Sequence, residues 1–257
     1  MEDIFELPRP RKRAERVIND LDLRKFEGGV FDYKTLSNLG VLSENGYVDR
    51  ILSPISTGKE ADVFLGEGKG GHVAIKVFRL ATASYFRNPT VLQYILGDER
   101  FKRIKKDPRF LIMLWAQKEF SNLKKAHEMG VRAPEPIAIE KNVLVMRFIG
   151  EGIKPAPQML RVQLENPKKV SREIFEDMAK MHKGKLVHAD LSEYNVLMEG
   201  NTPVMIDFSQ GVPLSHPKAM EFLNRDVKNL CDFFIKRGLD LDSEKVLTEI
   251  TDGGRIS

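Results

Sequence analysis

Cysteine is nearly missing from the 257 residues, and this scarcity excludes more than any abundant residue does. With Cys231 as its one thiol, the chain can build neither an intramolecular disulfide framework nor a multi-cysteine metal site. Such usage fits a reducing compartment, with the cytoplasm as the default location. No stretch approaches the roughly 20 apolar residues that span a bilayer. The acidic opening Met1-Glu2-Asp3 leads into charged residues instead of a signal-peptide core, so neither secretion nor a membrane partner is expected. Charge of one sign is also scarce: 41 Lys+Arg against 37 Asp+Glu leave a net +4, too little to argue for nucleic acid by itself. There is no repeat at a fixed period and no low-complexity tract. What is present is apolar material, 42% of the chain, enough for one large domain or two lobes. The basic residues are clustered, with +4 over residues 9–16 (RPRKRAER) and +5 over 100–109 (RFKRIKKDPR), which leaves the rest of the chain at −5.

Residues 11–45 read as short helices broken at Gly28-Gly29, and from Val48 the pattern turns to short β-type runs. These runs are Val48 to Leu52, Ala61 to Leu65 and His72 to Phe78, with GEGKGG (66–71) as the hairpin turn between the last two. Gly66, Gly68 and Gly71 also fit G-x-G-x-x-G, but a dinucleotide fingerprint must open a helix and here a β-branched strand follows. Gly58-Lys59 is no Walker A loop either, because Glu60 follows in place of Ser or Thr. Asp107-Pro108 and Gly130 frame a long helix whose inward stripe is Ile112, Trp115, Glu119 and Leu123, so a carboxylate lies in line with apolar residues. Trp115 reads as core. Ile137 to Ile139 and Val143 to Phe148, around a turn at Glu140 to Asn142, close a mostly β lobe. Beyond Gly150 and Pro157 the pattern is helical, with a helix capped by Ser171 and stopped by Gly184, two short strands in LVHADLSEYNVLMEGNTPVMIDFSQG, and a last helix from Pro217 to Arg237.

Chemistry concentrates in that two-stranded segment. A hairpin with Glu199-Gly200-Asn201 as its turn sets Asn195 opposite Asp207, Cα atoms roughly 4.5 to 5.5 Å apart. An amide carbonyl and a carboxylate with room for water and phosphate suit Mg²⁺. Asp190, on the loop into the hairpin, is placed to act as a base on a hydroxyl or water. His188 packs against and orients this loop. A bound triphosphate also needs a cation, and Lys76, mid-strand in VAIKVF, is the candidate; such a lysine needs a partner, which Glu119 can supply. Strand lysine, helix glutamate, D-x-x-x-x-N and a following D-F are, in order, the parts of a protein-kinase phosphoryl-transfer site.

With these residues in view, the sequence resembles the RIO family of atypical protein serine/threonine kinases, and within it the first subfamily. STGKEADVF (56–64), VAIKVF (73–78), KEFSNL (118–123), LVHADLSEYNVL (186–197) and VMIDFSQGV (204–212) carry the resemblance, which covers about residues 45–237. The second subfamily sets a winged-helix domain before its kinase domain, for which 45 residues are too few. The resemblance implies an α+β, bilobal protein-kinase-like fold. It would comprise an N-terminal helical segment (1–45), an antiparallel β N-lobe with one long helix (46–150, with an insertion at about 80–106), and a trimmed, mainly helical C-lobe (151–257). It implies ATP with Mg²⁺, or Mn²⁺ in its place, and serine/threonine phosphorylation or ATP hydrolysis linked to small ribosomal subunit maturation. Lys76 would hold the α/β phosphates, Glu119 would orient it, Asp190 would be the catalytic base, and Asn195 and Asp207 the metal ligands. Ser56, Thr57, Gly58 and Lys59 would form a reduced phosphate-covering loop, and Met146 to Ile149, including Phe148, the adenine hinge.

The departures from ordinary protein kinases matter equally. Ala189 stands where an HRD motif has Arg, so the usual clamp on a phosphorylated activation loop is absent; Ser209 replaces the DFG glycine and no Ala-Pro-Glu follows, so the usual peptide-docking platform is missing. In the family, turnover through a phosphorylated aspartate at the Asp207 position is also considered. Two other readings stay open: an aminoglycoside-kinase type phosphotransferase, against which STGKEA and IDFSQ argue, and a ribosome-assembly binding module with ATP as a conformational switch. The 80–106 connection is unusually long, which suggests a mobile or functional segment. With the 9–16 cluster it is the place to look for contact with ribosomal RNA or a small-subunit precursor. Ser84 within it is a candidate autophosphorylation site; the protein substrate is unknown.

Overall fold

A computed structural model describes residues 31–79, 88–101 and 107–253 of the chain. The 9–16 cluster, the break at Gly28-Gly29, Ser84 and the basic run from Lys102 to Lys106 lie outside the described residues. The first half is built on an antiparallel sheet in the order β1-β2-β3-β5-β4, with β1 Arg50–Thr57, β2 Ala61–Gly68, β3 Gly71–Phe78, β4 Pro136–Glu140 and β5 Val143–Arg147. The strand expected over Val48 to Leu52 thus starts later and runs further. It is an edge strand with bulges on both sides of Pro54, a setting that tolerates proline and mostly exposed side chains and so leaves little hydrophobic signal. The glycine-rich turn is a hairpin in which Gly68 pairs with Gly71. A side chain at Gly66 would collide with Ile75. That glycine therefore serves close packing, in agreement with its rejection as a phosphate loop.

Alternation along β3 decides how this half is layered, because successive strand side chains point to opposite faces. Val73, Ile75 and Val77 share an apolar cluster with Leu39 and Leu42 of helix α1 (Tyr33–Glu44), which covers one face. The side chain of Asp32 caps α1 by accepting from Thr35 N at 2.8 Å, and buried Asn142 ties the helix to the sheet by donating to Thr35 Oγ1 and to the Phe78 carbonyl. Ala74 and Phe78 belong to the other cluster, so Lys76 between them faces inward, toward the long helix α3 (Pro108–Glu128). Asp107 caps α3 through Arg109 N at 2.9 Å. Ile112, Trp115, Glu119 and Leu123 are all buried, as the stripe requires.

The 80–106 connection is more ordered than a bare loop. It contains helix α2 (Pro89–Leu96) and a 3-10 turn (Glu99–Phe101). Val91, Tyr94 and Ile95 are buried, which holds this eight-residue helix in place although it is too short to announce itself by periodicity.

After β5 a small ribbon, β6 (Gly150–Glu151) with β7 (Lys154–Pro155), leads to helix α4, Pro167–Lys183. Ser171 is not its cap. Asn166 is, accepting from Lys169 N at 2.9 Å, with Pro167 at the start where a missing N–H costs nothing, and the Ser171 hydroxyl bonds back to the Lys168 carbonyl inside the helix. Two ribbons follow, β8 (Leu186–Val187) with β11 (Val212–Pro213) and β9 (Val196–Glu199) with β10 (Thr202–Met205). Helix α5 (Ala219–Ile235) and an additional helix α6 (Ser243–Asp252), capped by Asp242, complete the described residues. The sequence marks helix only to Arg237. Among the described residues no helix is long and apolar enough to cross a membrane.

Candidate active site

The β9–β10 register differs by one from the expected one. Glu199 pairs with Thr202 and Val196 with Met205, so the turn is the two residues Gly200-Asn201 with Gly200 at φ +60°. Ile206, not Asp207, faces Asn195 and donates its N–H to the Asn195 carbonyl at 2.9 Å. Asp207 lies just past the ladder with φ +62°, a left-handed conformation. Its backbone handedness, and not strand pairing, therefore sets where its carboxylate goes.

That carboxylate meets the strand lysine. Lys76 Nζ lies 2.8 Å from Glu119 Oε1, 2.7 Å from Oε2 and 3.0 Å from Asp207 Oδ1. Burial alone would depress the Lys76 ammonium, but Asp207 and Glu119 outweigh it and hold the group above the ordinary lysine range. Burial pushes the Glu119 carboxyl up against the pull of Lys76; with a cation this close to both oxygens, the pair is ionised. Burial also opposes ionisation of Asp207, yet Lys76 and the Ser209 hydroxyl, 2.7 Å from Oδ1, hold it down to about 2. Asp207 remains partly open, its side chain 38% exposed against 8% for Lys76.

Asp190 and Asn195 form the second half of the site. Asn195 Nδ2 donates to the Asp190 carbonyl at 2.7 Å and reaches Asp190 Oδ2 at 3.3 Å, which leaves the amide oxygen of Asn195 for a cation. Burial, then the charge of Asp207, pushes Asp190 up to about 6 against the pull of Arg225 and Asn195. A carboxyl poised there can accept a proton near neutral pH. An amide oxygen and an ionised carboxylate are hard donors of the kind Mg²⁺ or Mn²⁺ takes, with further positions left for phosphate and water. His188 is buried against the Phe208 ring with centroids 4.7 Å apart, and its Nε2 lies 3.0 Å from the Ile206 carbonyl. Burial depresses it to about 4, so it stays neutral.

Ser56, Thr57, Gly58 and Lys59 are exposed at the end of β1, where Gly58 N donates to the Ala61 carbonyl at 3.0 Å. Met146, Phe148 and Ile149 have buried side chains, so any adenine contact there is left to the backbone, and the Ile149 carbonyl already accepts from Ala156 N at 3.0 Å. Trp115 is core, as read, but its Nε1 also donates to Glu60 Oε2 at 3.0 Å, next to that exposed loop.

Five further residues support the site. Lys118, fully buried beside Glu119, donates to the Ser209 carbonyl at 2.8 Å and to the Gly211 carbonyl; burial pushes its amine down to about 7. One turn on, Asn122 donates to the Phe208 and Gly211 carbonyls at 2.9 and 2.8 Å. Asp226 accepts from Ala189 N at 2.8 Å and Leu191 N at 3.1 Å, gripping the peptide groups on both sides of Asp190. Its partner Arg225 donates to the Ala189 carbonyl, and Gln210 Nε2 lies 3.1 Å from Asp190 Oδ2. Asp226 leaves a trace in sequence, since it shares the spacing of Phe222, Leu223, Val227 and Leu230 and is an acid on an apolar stripe, just as Glu119 is. Gln210 and Arg225 leave none.

A five-stranded antiparallel sheet with one long helix, followed by a mainly helical part that carries Asp190, Asn195 and Asp207, is a protein-kinase-like architecture. Comparison with known proteins agrees. The RIO domain model matches residues 62–246. The RIO-type serine/threonine-protein kinase Rio1 of Haloferax volcanii is 41% identical over 236 residues, covering 91% of this chain and 80% of its own length. Its namesake from Methanocaldococcus jannaschii is 37% identical over 241 residues, covering 93% and 81%. Among solved structures, the Rio2 kinase from Chaetomium thermophilum in an ADP/Mg²⁺-phosphoaspartate complex aligns with TM-score 0.62 at 24% identity, over 86% of this chain and 67% of that one. The chain belongs to the RIO family of atypical protein kinases, and its relatives named Rio1 place it in the first subfamily.

Proposed function

We propose that the protein is a Mg-ATP-dependent serine/threonine kinase, with ATP hydrolysis as a side or main activity, that acts in maturation of the small ribosomal subunit. The observation that carries the chemistry is the buried Lys76–Glu119–Asp207 ion cluster beside the Asp190–Asn195 pair. In this reading Lys76, held by Glu119, binds the α/β phosphates, and Asp190 takes the proton of the acceptor hydroxyl as the γ-phosphoryl group moves to it. Asn195 and Asp207 would hold Mg²⁺, which neutralises phosphate charge. Ser56 to Lys59 cover the phosphates, and the Met146 to Ile149 backbone reads adenine. The lobe boundaries near residues 45 and 150 belong to the same reading.

Radiolabelled ATP tests it. The wild type is expected to place acid-stable label on Ser or Thr, and Asp190→Ala and Asp207→Ala to lose it. Label released by hydroxylamine or hot acid, as an acyl-phosphate is, would move the main activity to an ATPase cycle through Asp207. Tight ATP binding with neither label nor phosphate release would sink the enzymatic reading and leave a nucleotide switch.

The ribosomal part rests on charge, since two basic segments ride on a chain that is otherwise at −5. Reversing Lys102, Arg103, Lys105 and Lys106 to glutamate should weaken binding to ribosomal RNA about tenfold or more at moderate salt and flatten its salt dependence, while ATP turnover is spared. Filter binding across a salt series checks this; an unchanged slope would remove RNA as the partner of that segment.

A further inference from the structure

The hydrogen bonds around Asp190 and Asp207 fall in a pattern. Asp207 Oδ1 receives Lys76 Nζ at 3.0 Å and the Ser209 hydroxyl at 2.7 Å. Asp190 Oδ2 receives Asn195 Nδ2 at 3.3 Å and Gln210 Nε2 at 3.1 Å. A carboxylate oxygen offers about two lone-pair sites, so in each residue one oxygen is filled and the other is left over. Asp207 Oδ2 and Asp190 Oδ1 accept no hydrogen bond from a described residue.

Two of these donors are neighbours in sequence. Ser209 and Gln210 occupy one turn, closed by Gly211 N donating to the Phe208 carbonyl at 3.2 Å. Helix α3 grips that turn at both ends: Lys118 donates to the Ser209 and Gly211 carbonyls, and Asn122 to the Phe208 and Gly211 carbonyls. A side chain at Gly211 would come within 2.8 Å of Asn122 Nδ2, so glycine at that position is what admits the grip. The main chain of the turn is therefore fixed, and its two side chains are delivered to two different carboxylates. The glycine that ordinary kinases carry at the Ser209 position has no hydroxyl to give.

We propose that Ser209 and Gln210 are positioning residues that divide the carboxylate oxygens of the site. Ser209 fills Oδ1 of Asp207 and leaves Oδ2 for the cation; Gln210 fills Oδ2 of Asp190 and leaves Oδ1 for the proton of the acceptor. The inference rests on the kinase reading above. Two donors on one oxygen fix the plane of a carboxylate as well as its distance, so the remaining oxygen faces one direction. Lys76 alone aims Asp207 poorly, because its ammonium is shared with both oxygens of Glu119. The Ser209 hydroxyl supplies the second point. The Asp207 side chain is 38% exposed, which leaves its other oxygen within reach of an ion. Asn195 Nδ2 is likewise shared, between the Asp190 carbonyl and its carboxylate, and Gln210 supplies the second point there.

The test uses the full chain with Ser209→Ala, Ser209→Gly, Gln210→Met and Gln210→Glu, and with Asp207→Ala and Asp190→Ala as controls. Each is read in two ways: ATP turnover at saturating Mg²⁺ and, without turnover, binding of Mn²⁺ in the presence of ADP, followed by the EPR signal of the free ion. Ser209→Ala should bind Mn²⁺ about tenfold more weakly, the size of a lost contact to a ligating carboxylate, and keep kcat within about threefold once metal saturates. Gln210→Met should do the reverse, with kcat about tenfold lower and the Mn²⁺ dissociation constant within about twofold of wild type. Gln210→Glu has the same length but sets a carboxylate against Asp190, and should turn over more slowly than Gln210→Met. A turn that merely packs would move both readouts together in both positions and would not slow Gln210→Glu below Gln210→Met. Wild-type Mn²⁺ affinity in Ser209→Ala, wild-type kcat in Gln210→Met, or parallel losses in both readouts overturn the inference. Thermal melts accompany each variant, and Ser209→Gly decides should Ser209→Ala fail to fold. If Asp207→Ala holds Mn²⁺ as tightly as the wild type and Asp190→Ala turns over ATP as fast, the kinase reading falls and takes the inference with it. Losses in both controls beside unaffected Ser209→Ala and Gln210→Met remove the inference alone.

Discussion

Asp190→Asn is expected to slow ATP turnover about 10³-fold while the dissociation constant for ATP stays within about threefold. The amide is nearly isosteric and can keep contact with Asn195 and Gln210, so the loop should hold its shape while losing the atom that accepts a proton. The same assignment gives a pH dependence. With its carboxyl pushed up to about 6 by burial and by Asp207, Asp190 is protonated and unable to act below that pH. The wild-type kcat/KM, which reports the free enzyme, should therefore climb and level off as pH rises through about 6, and Asp190→Asn should lack that limb. Stopped-assay rates from pH 5 to 8 and equilibrium nucleotide binding measure both. Retention of more than about a tenth of the activity would remove Asp190 from the role of base.

Lys118→Ala should destabilise the fold by about 3–5 kcal/mol, the cost of a cavity plus the Ser209 carbonyl left without its donor, while the Gly211 carbonyl keeps only Asn122. Chemical denaturation monitored by Trp115 fluorescence reads this, since the amine lies 5.6 Å from that ring centroid. Lys118→Met restores most of the volume and removes a costly buried amine, so its stability should stay within about 2 kcal/mol of wild type. Activity should still fall about tenfold, because the Ser209–Gly211 loop next to Asp207 is then tethered to the helix of Glu119 by Asn122 alone. Proton linkage separates this from simple packing. The amine titrates near 7 in the folded protein against 10.5 ordinarily, so between these values the unfolded chain binds the extra proton. Stability should then rise with pH from about 7 toward 10.5, by at most about 1.4 kcal/mol per pH unit, and Lys118→Met should remove that contribution. An alanine variant as stable as wild type would show that the Ser209 carbonyl does not depend on this amine.

How much of this could be read from sequence depended on whether a residue sat in a periodic element. The β3 alternation placed Lys76 inward, and the 3, 4, 4 spacing on α3 placed Glu119 opposite it, because period and burial are the same fact seen twice. Asp226 was equally visible on its stripe and was not read. The Asn195–Asp207 pairing was off by one, because a two-residue and a three-residue turn differ by nothing that hydrophobicity records, and because Asp207 is aimed by a left-handed φ that aspartate does not advertise. Helix α2 escaped because Pro89–Leu96 spans only about two turns and is held by rings from distant parts of the chain. Lys118 lay inside a quoted motif, but a lysine beside a glutamate on a helix looks like any solvated pair until its burial is known.

Two of the four non-glycine residues with left-handed backbone among the described residues, Ala189 and Asp207, flank the proposed chemistry. Each such residue costs about 1–2 kcal/mol, while a domain's net stability is about 5–15 kcal/mol. A sizeable share of what keeps this protein folded is thus held in tension at two peptide units, and the clamps from α3 and α5 are what prevent its release. The proposed active site is in this sense expensive to keep, and would relax if selection favoured stability over catalysis.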